Sequence, residues 1–234
     1  TGQVMQFVVN SGLLLASDAN TTNPYKLVPV AEASFAGQIA TTRQVSLNEG
    51  ESETVCVDVD AAGNTVQVAG TPPSCPAPSV PFAPKEALLG VLDASGAGVP
   101  LKWTDDSGTS APVPVTLQSG VTMTVNVTEN PTVGDTEDWE LYNFTEDAHP
   151  IHLHLVRFEV KERRAIGAAS VPGQGVQPWE KGYKDTVISY PGEITTVRAT
   201  FDLEGLYVWH CHIVEHEDNE MMRPFVVSSS APAP

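Results

Sequence analysis

An all-β fold is predicted for this chain of 234 residues by its composition and its periodicity. Gly 18 and Pro 19 beside an aromatic content of 7% suit a protein built of short strands and many turns. Apolar residues alternate in short runs, as in Val121, Met123, Val125 and Val127. No stretch carries the 3.6-residue period of a helix longer than two turns, and no internal repeat is evident. The length allows one large or two small domains with a substantial core.

Taken in order, Gln3 to Val9 alternates and reads as a strand. It begins directly after Thr1, with no signal peptide, so either a leader has been removed or the chain starts inside a larger protein. Residues 10–35 are polar and Pro-bearing, the character of a linker. Arg43 to Leu47 then opens the main domain, expected over 36–228. Residues 58–84 are rich in Gly, Pro, Ser and Thr, which cannot build a sheet interior, and are expected to form an exposed excursion. Leu88 to Leu92 and Val113 to Val127 resume strand patterns. Trp139, Leu141 and Asn143 alternate with Glu140, Tyr142 and Phe144 in a further strand. Leu153, Leu155 and Phe158 extend the next one. Residues 166–183 lack periodicity and read as a loop. Asp185 to Ser189, the Pro191-Gly192 turn and Glu193 to Phe201 together predict a hairpin. Arg223 to Val227 is the final strand, and a disordered tail is expected at 229–234.

Chemistry concentrates between Tyr207 and Met222. His210, Cys211 and His212 are consecutive, with His216 five residues after the cysteine and Met221 ten after it. On a strand, Cys211 faces one side while His210 and His212 face the other, so one segment can serve two metal sites. A His₂Cys set with a weak axial Met is the ligand field of a blue copper centre. Cys211, His216 and Met221 supply three of its members, with Met222 the alternative to Met221. The remaining three of six histidines all fall in His149-Pro-Ile-His-Leu-His154. His152 and His154 share a strand face and can join His210 and His212 at a second copper site. His149, set apart by Pro150, is free to face Cys211. Six histidines in two tight clusters, with a cysteine between two of them, set aside the ordinary reading of isolated surface or core histidines.

Charge and cysteines bound the remaining possibilities. A net charge of −17 with pI near 4.5 argues against nucleic-acid binding, which needs a basic surface. The ordinary meaning of such acidity is solubility, and it could also attract cationic donors. No apolar run approaches the ~20 residues of a membrane span. With Cys211 assigned to a metal, Cys56 and Cys75 are left either as a disulfide or as two free thiols. The disulfide is the favoured expectation and places the protein outside the cytoplasm, secreted or at the cell surface.

The runs HPIHLH at 149–154 and HCHIVEHEDNEMMRP at 210–224 closely resemble the C-terminal cupredoxin domain of bacterial multicopper oxidases, of the spore-coat laccase and bilirubin-oxidase-like type. MQF at 5–7, TTRQVSLNE at 41–49, TENPTVGDTEDWELYNFT at 128–145 and EKGYKDTVISYPGE at 180–193 extend the resemblance. It implies a cupredoxin-like Greek-key sandwich, with residues 1–35 as the last strand of a middle cupredoxin domain and the linker after it. It also implies a type 1 copper on His149, Cys211, His216 and Met221. His152 would hold a type 2 copper, and His154, His210 and His212 a type 3 pair. Together these form a trinuclear cluster reducing O2 to water.

By the same resemblance His216 is where electrons enter from a phenol, a bilirubin-like pigment or a metal ion. Glu217 is linked to proton delivery, its rival role being part of a solvated acidic turn. The family's cluster uses eight histidines, half from an N-terminal cupredoxin domain, and residues 1–148 here contain none. The expectation is therefore that N-terminal cupredoxin domains, on a nicked or separate chain, complete the site, and that this chain alone is inactive. A stand-alone blue-copper electron carrier is the alternative, and it leaves His152, His154, His210 and His212 unexplained. A copper nitrite reductase does not need both histidines beside the cysteine, and zinc lacks its usual closed tetrahedral set.

Overall fold

A computed structural model describes residues 38–51, 54–83, 85–103, 111–116 and 120–229. The strand expected at 3–9, the linker to 35 and the tail from 230 lie outside the described residues. All described residues fall within one compact unit, Ala33–Pro234.

Strand β1 (Ile39–Glu51) comes first and is far longer than the Arg43–Leu47 core expected of it. The excursion carries β2 (Val55–Val59), β3 (Thr65–Val68) and β4 (Val80–Phe82). Two hairpins follow, β5 (Lys85–Leu92) with β6 (Gly98–Pro100) and β7 (Ala111–Thr116) with β8 (Thr122–Val127). Next are β9 (Thr136–Asn143), β10 (His149–Leu153), β11 (Phe158–Ala165) and the short β12 (Tyr183–Lys184). The chain ends in β13 (Thr186–Ser189), β14 (Glu193–Thr200), β15 (Gly205–Cys211), the four-residue helix α1 (Val214–Glu217) and β16 (Met222–Val227).

A seven-stranded sheet, ordered β12-β11-β14-β9-β1-β5-β6, lies over a four-stranded sheet, ordered β13-β10-β15-β16. The alternation read in the sequence decides which side chains meet between them. Val45, Leu47, Trp139, Leu141, Phe158 and Val197 come from the larger sheet, and Ile151, Leu153, Val187, Trp209, Cys211 and Phe225 from the smaller. Trp139 is central, with ring centroids 5.8 Å from Phe201, 5.9 Å from Trp209 and 5.8 Å from Phe225. Contacts of this kind add ~0.5–1.5 kcal/mol each to the area buried. The crossed strand order, with β1 running parallel to β9, makes this the all-β Greek-key type of sandwich expected.

Two expectations are corrected. The Pro191-Gly192 turn does not close a hairpin, because β13 pairs with β10 while β14 pairs with β11 and β9 in the other sheet. Four consecutive buried residues, Ile194 to Val197, give β14 two covered faces and a central place in the larger sheet. The Gly192 N–H donates to Asn143 O, so the turn is tied to β9 and carries the chain from layer to layer. The strand expected to run on through Leu155 stops at Leu153, and Leu155 adopts φ 71 before β11 begins. The excursion, expected to be exposed, folds into its own small sheet ordered β3-β2-β4. Its strands are mostly exposed, and the Cys56–Cys75 disulfide pins it, with Cα atoms 5.5 Å apart. Gly and Pro there exclude a sheet interior, but three short strands with one covalent tie do not need one.

Candidate metal centre

Strand β15 builds the site by alternation. Trp209 and Cys211 point into the core, and His210, between them, points out of the other face. The neighbouring β10 repeats the pattern, with His149, Ile151 and Leu153 buried and His152 on the opposite side. His149 therefore faces Cys211 by strand parity, which suffices without invoking Pro150.

After Cys211 the chain turns into α1 and comes back. The His216 and Glu217 N–H groups donate to Ile213 O, and the Met221 N–H donates to His216 O at 2.9 Å. The Cys211 N–H closes the loop on Met221 O at 3.0 Å, so buried Met221 is anchored beside both Cys211 and His216. Met222, on the next position, pairs with His210 across β16 and is only half-buried.

The first donor group is compact. Cys211 Sγ lies 3.6 Å from His149 Nδ1 and 3.9 Å from His216 Nδ1, and the two nitrogens are 3.3 Å apart. Three donors bonded at ~2.0–2.3 Å around one first-row ion in a trigonal array stand roughly 3.5–4 Å from one another. The residues thus fit the copper that a His₂Cys set implies. Burial, then the neighbouring His216, pushes the His149 imidazole down to about 4, so the ring is neutral at physiological pH and able to bind a metal. Burial pushes the Cys211 thiol up, so a metal ion must displace its proton.

The second group lies across the strand. His152, His154 and His210 place ring nitrogens within 4.8 Å of one another, and so lie the ring nitrogens of His210 and His212 and a carboxylate oxygen of Glu217. The Nε2 atoms of His154 and His210 face each other at 3.2 Å. His152 Nδ1 is held by Asp185 O at 2.7 Å and His210 Nδ1 by Cys211 O at 3.0 Å, which leaves both Nε2 atoms for another partner. A Glu217 carboxylate oxygen is 3.6 Å from His210 Nδ1 and 3.8 Å from His212 Nδ1. Burial and the crowd of imidazoles lower the His154 pKa, against a smaller opposing pull from Glu217. Unlike the first group this one opens to solvent, with His154 exposed and the His212 side chain 49% exposed.

All six histidines, Cys211 and Glu217 are therefore gathered as the sequence placed them. What the sequence reading missed is the supporting layer: Thr145, whose hydroxyl is 2.7 Å from His149 Nε2, and the Asp185 carbonyl and Thr186 hydroxyl behind His152. Only the closeness of Thr145 to His149 in the chain could have signalled the first. A cavity of about 600 Å³ lies among Asn48, Glu49, Lys85, Gly98, Phe144 and Glu146, on the even-numbered side of the segment whose odd residues support His149.

Comparison with known proteins agrees with this chemistry. A family model described as "Multicopper oxidase" matches residues 102–231. The chain is similar to the laccase of Bacillus subtilis (strain 168), 49% identical over 113 residues that cover 44% of this chain and 22% of that protein. It is similar to the laccase of Haloferax volcanii, 49% identical over 100 residues, 42% of this chain and 16% of that one. It also resembles the bilirubin oxidase of Albifimbria verrucaria, 41% identical over 98 residues, 41% of this chain and 16% of that protein. The matched stretch thus spans about a fifth or less of these relatives.

Proposed function

The chain belongs to the multicopper oxidase family, and from that premise we propose that it is the electron-accepting part of a laccase-like enzyme, carrying one whole copper site and half of another. The observation that carries this reading is the split at β15, where Cys211 joins His149 and His216 while His210 and His212 join His152 and His154. Copper held by His149, Cys211, His216 and Met221 supplies reversible one-electron chemistry. His152, His154, His210 and His212 would hold the copper of the O2-reducing cluster from one side, and the exposure of His154 and His212 supports completion by histidines of an N-terminal cupredoxin domain.

The chain's own residues divide the remaining work. The half-buried His216 ring would be the edge through which an electron from a phenol, a pigment or a reducing metal ion reaches the bound copper. The Cys211 backbone, bonded to both His210 and His212, provides the short path between the groups. Glu217, beside His210 and His212, would be the carboxyl placed to donate protons on that side. The Cys56–Cys75 disulfide supports an oxidising, extracellular setting. An electron-carrier role would use the first group alone and leave the second without purpose.

Copper titration of the 234-residue chain tests the reading. The expected result is one tightly held copper with the strong visible absorption of a copper–thiolate bond, and no O2 consumption with a phenol. Adding the N-terminal cupredoxin domains of the enzyme raises copper to about four per assembly and starts turnover. O2 reduction by the chain alone overturns the proposal.

A further inference from the structure

Asn143 and Thr145 spell an Asn-x-Thr acceptor sequence, yet both side chains are buried and each is committed inside the protein. The Asn143 Nδ2 donates to Asp147 O at 2.8 Å and to Ser189 O at 3.0 Å. Two carbonyls at one end identify that end as nitrogen, so Oδ1 is the end that accepts the Thr145 N–H at 2.9 Å. The Thr145 hydroxyl has one proton to give and two lone pairs. Asn143 Oδ1 at 2.8 Å and Asp147 O at 3.0 Å are both acceptors for that proton. One lone pair receives the Asp147 N–H at 3.2 Å, and the other faces His149 Nε2 at 2.7 Å.

We infer that Asn143 and Thr145 are positioning residues that lock His149 in its Nε2–H tautomer, leaving the Nδ1 lone pair aimed at the space it shares with Cys211 and His216. With Nε2–H as donor, the hydroxyl proton keeps its two acceptors and both lone pairs are filled. With the other tautomer, the hydroxyl proton would have to leave two carbonyl-type acceptors for the ring, and a lone pair would go unused in a buried place. The network also ties three strands together, since Asn143 ends β9, His149 begins β10, and Ser189 stands opposite His149 on β13. The ring is thus oriented by both sheets before any ion arrives. Ligating histidines commonly fix their second nitrogen in this manner, and loss of such a partner lowers metal affinity about 10–100-fold.

This inference rests on the reading of His149 as a copper ligand, and nitrogen-15 NMR of the full metal-free chain tests it separately. His149 should carry its proton on Nε2 in the wild type and in Thr145→Ser, and lose that preference in Thr145→Val. Copper competition titrations should give Thr145→Val an affinity about tenfold lower or worse, with Thr145→Ser at the wild-type value. A wild-type His149 protonated on Nδ1, or a Thr145→Val chain with unchanged tautomer and affinity, overturns the assignment. Should Thr145→Val not fold, the wild-type tautomer decides alone. A wild-type chain that shows the Nε2–H form yet binds no copper supports the lock and overturns the functional reading.

Discussion

Cys211 and His210 are covalent neighbours, yet Cys211 Sγ sits 3.6 Å from His149 Nδ1 while His210 Nε2 sits 3.2 Å from His154 Nε2. Strand parity alone produces that separation, so substitution on one side should leave the other intact. In the assembly completed by N-terminal cupredoxin domains, Cys211→Ser is expected to abolish the visible copper–thiolate absorption while copper binding on the four-histidine side persists. Loss of both together in a folded variant would contradict two independent groups. His149 adds a pH dependence whose sign is set by burial. Its pKa falls from 6.5 in the unfolded chain to about 4 in the fold, so below pH 6.5 the unfolded state binds the extra proton. Metal-free protein should therefore lose up to ~1.4 kcal/mol of stability per pH unit between 6.5 and about 4. Denaturant melts of wild type and His149→Gln across that window should diverge in slope; parallel curves would rule this out. At this scale the candidate ligands are legible because their residue types are rare and clustered. Thr145 and the Asp185 carbonyl are not, because a threonine or a backbone oxygen carries no signal until the fold brings it to a ring.

Strands β9 and β10 could be read from alternation because each has one covered face, and a period of two then separates core from outside. Partner choice was not legible in the same way. The Pro191-Gly192 turn suits a hairpin locally, and only the double-sided burial of β14 sends its strands to different sheets. Close approach between strands is likewise invisible before folding. Gly90 in β5 lies so near β6 that an added Cβ would meet Val99 O at 1.9 Å and Asn48 Nδ2 at 3.0 Å. The first of these is backbone paired in the sheet, with Val91 opposite Val99, so it cannot swing aside. Gly90→Ala should cost about 1–3 kcal/mol or more through forced displacement of β6. Chemical denaturation measures it, and a change below ~0.5 kcal/mol would show that the edge hairpin yields freely.

The whole molecule is held by ion pairs as well as by its core, and these fall on the larger sheet. Arg164 bridges Glu140 at 2.5 Å and Glu162 at 2.7 Å, and Arg163 reaches Glu180 at 2.6 Å, so the loop 166–183 is fastened to β11. Glu162 also accepts the Ser170 hydroxyl at 2.8 Å and the Val171 N–H, which pins the start of that loop. No sequence pattern announces this cage, because the charged residues at 159–164 do not name their partners, which come from β9 and from the loop. Burial would raise the Glu162 pKa, but the Val171 N–H, the Ser170 hydroxyl and Arg164 together hold it below the usual 4.5. Glu180 is likewise lowered, its burial outweighed by Arg163 and the Gln177 N–H. A carboxylate with a depressed folded pKa stabilises fully above its unfolded value and loses that contribution as pH falls through the folded one. Glu162→Gln should therefore destabilise the protein at neutral pH by roughly 2 kcal/mol, the scale of hydrogen bonds to a charged group. The gap between wild-type and Glu162→Gln melting temperatures should close as pH drops below 4.5, where the unfolded wild type takes up its proton. A gap that stays constant from neutral pH to strong acid would mean that Glu162 acts by packing and that its charge contributes nothing to the cage.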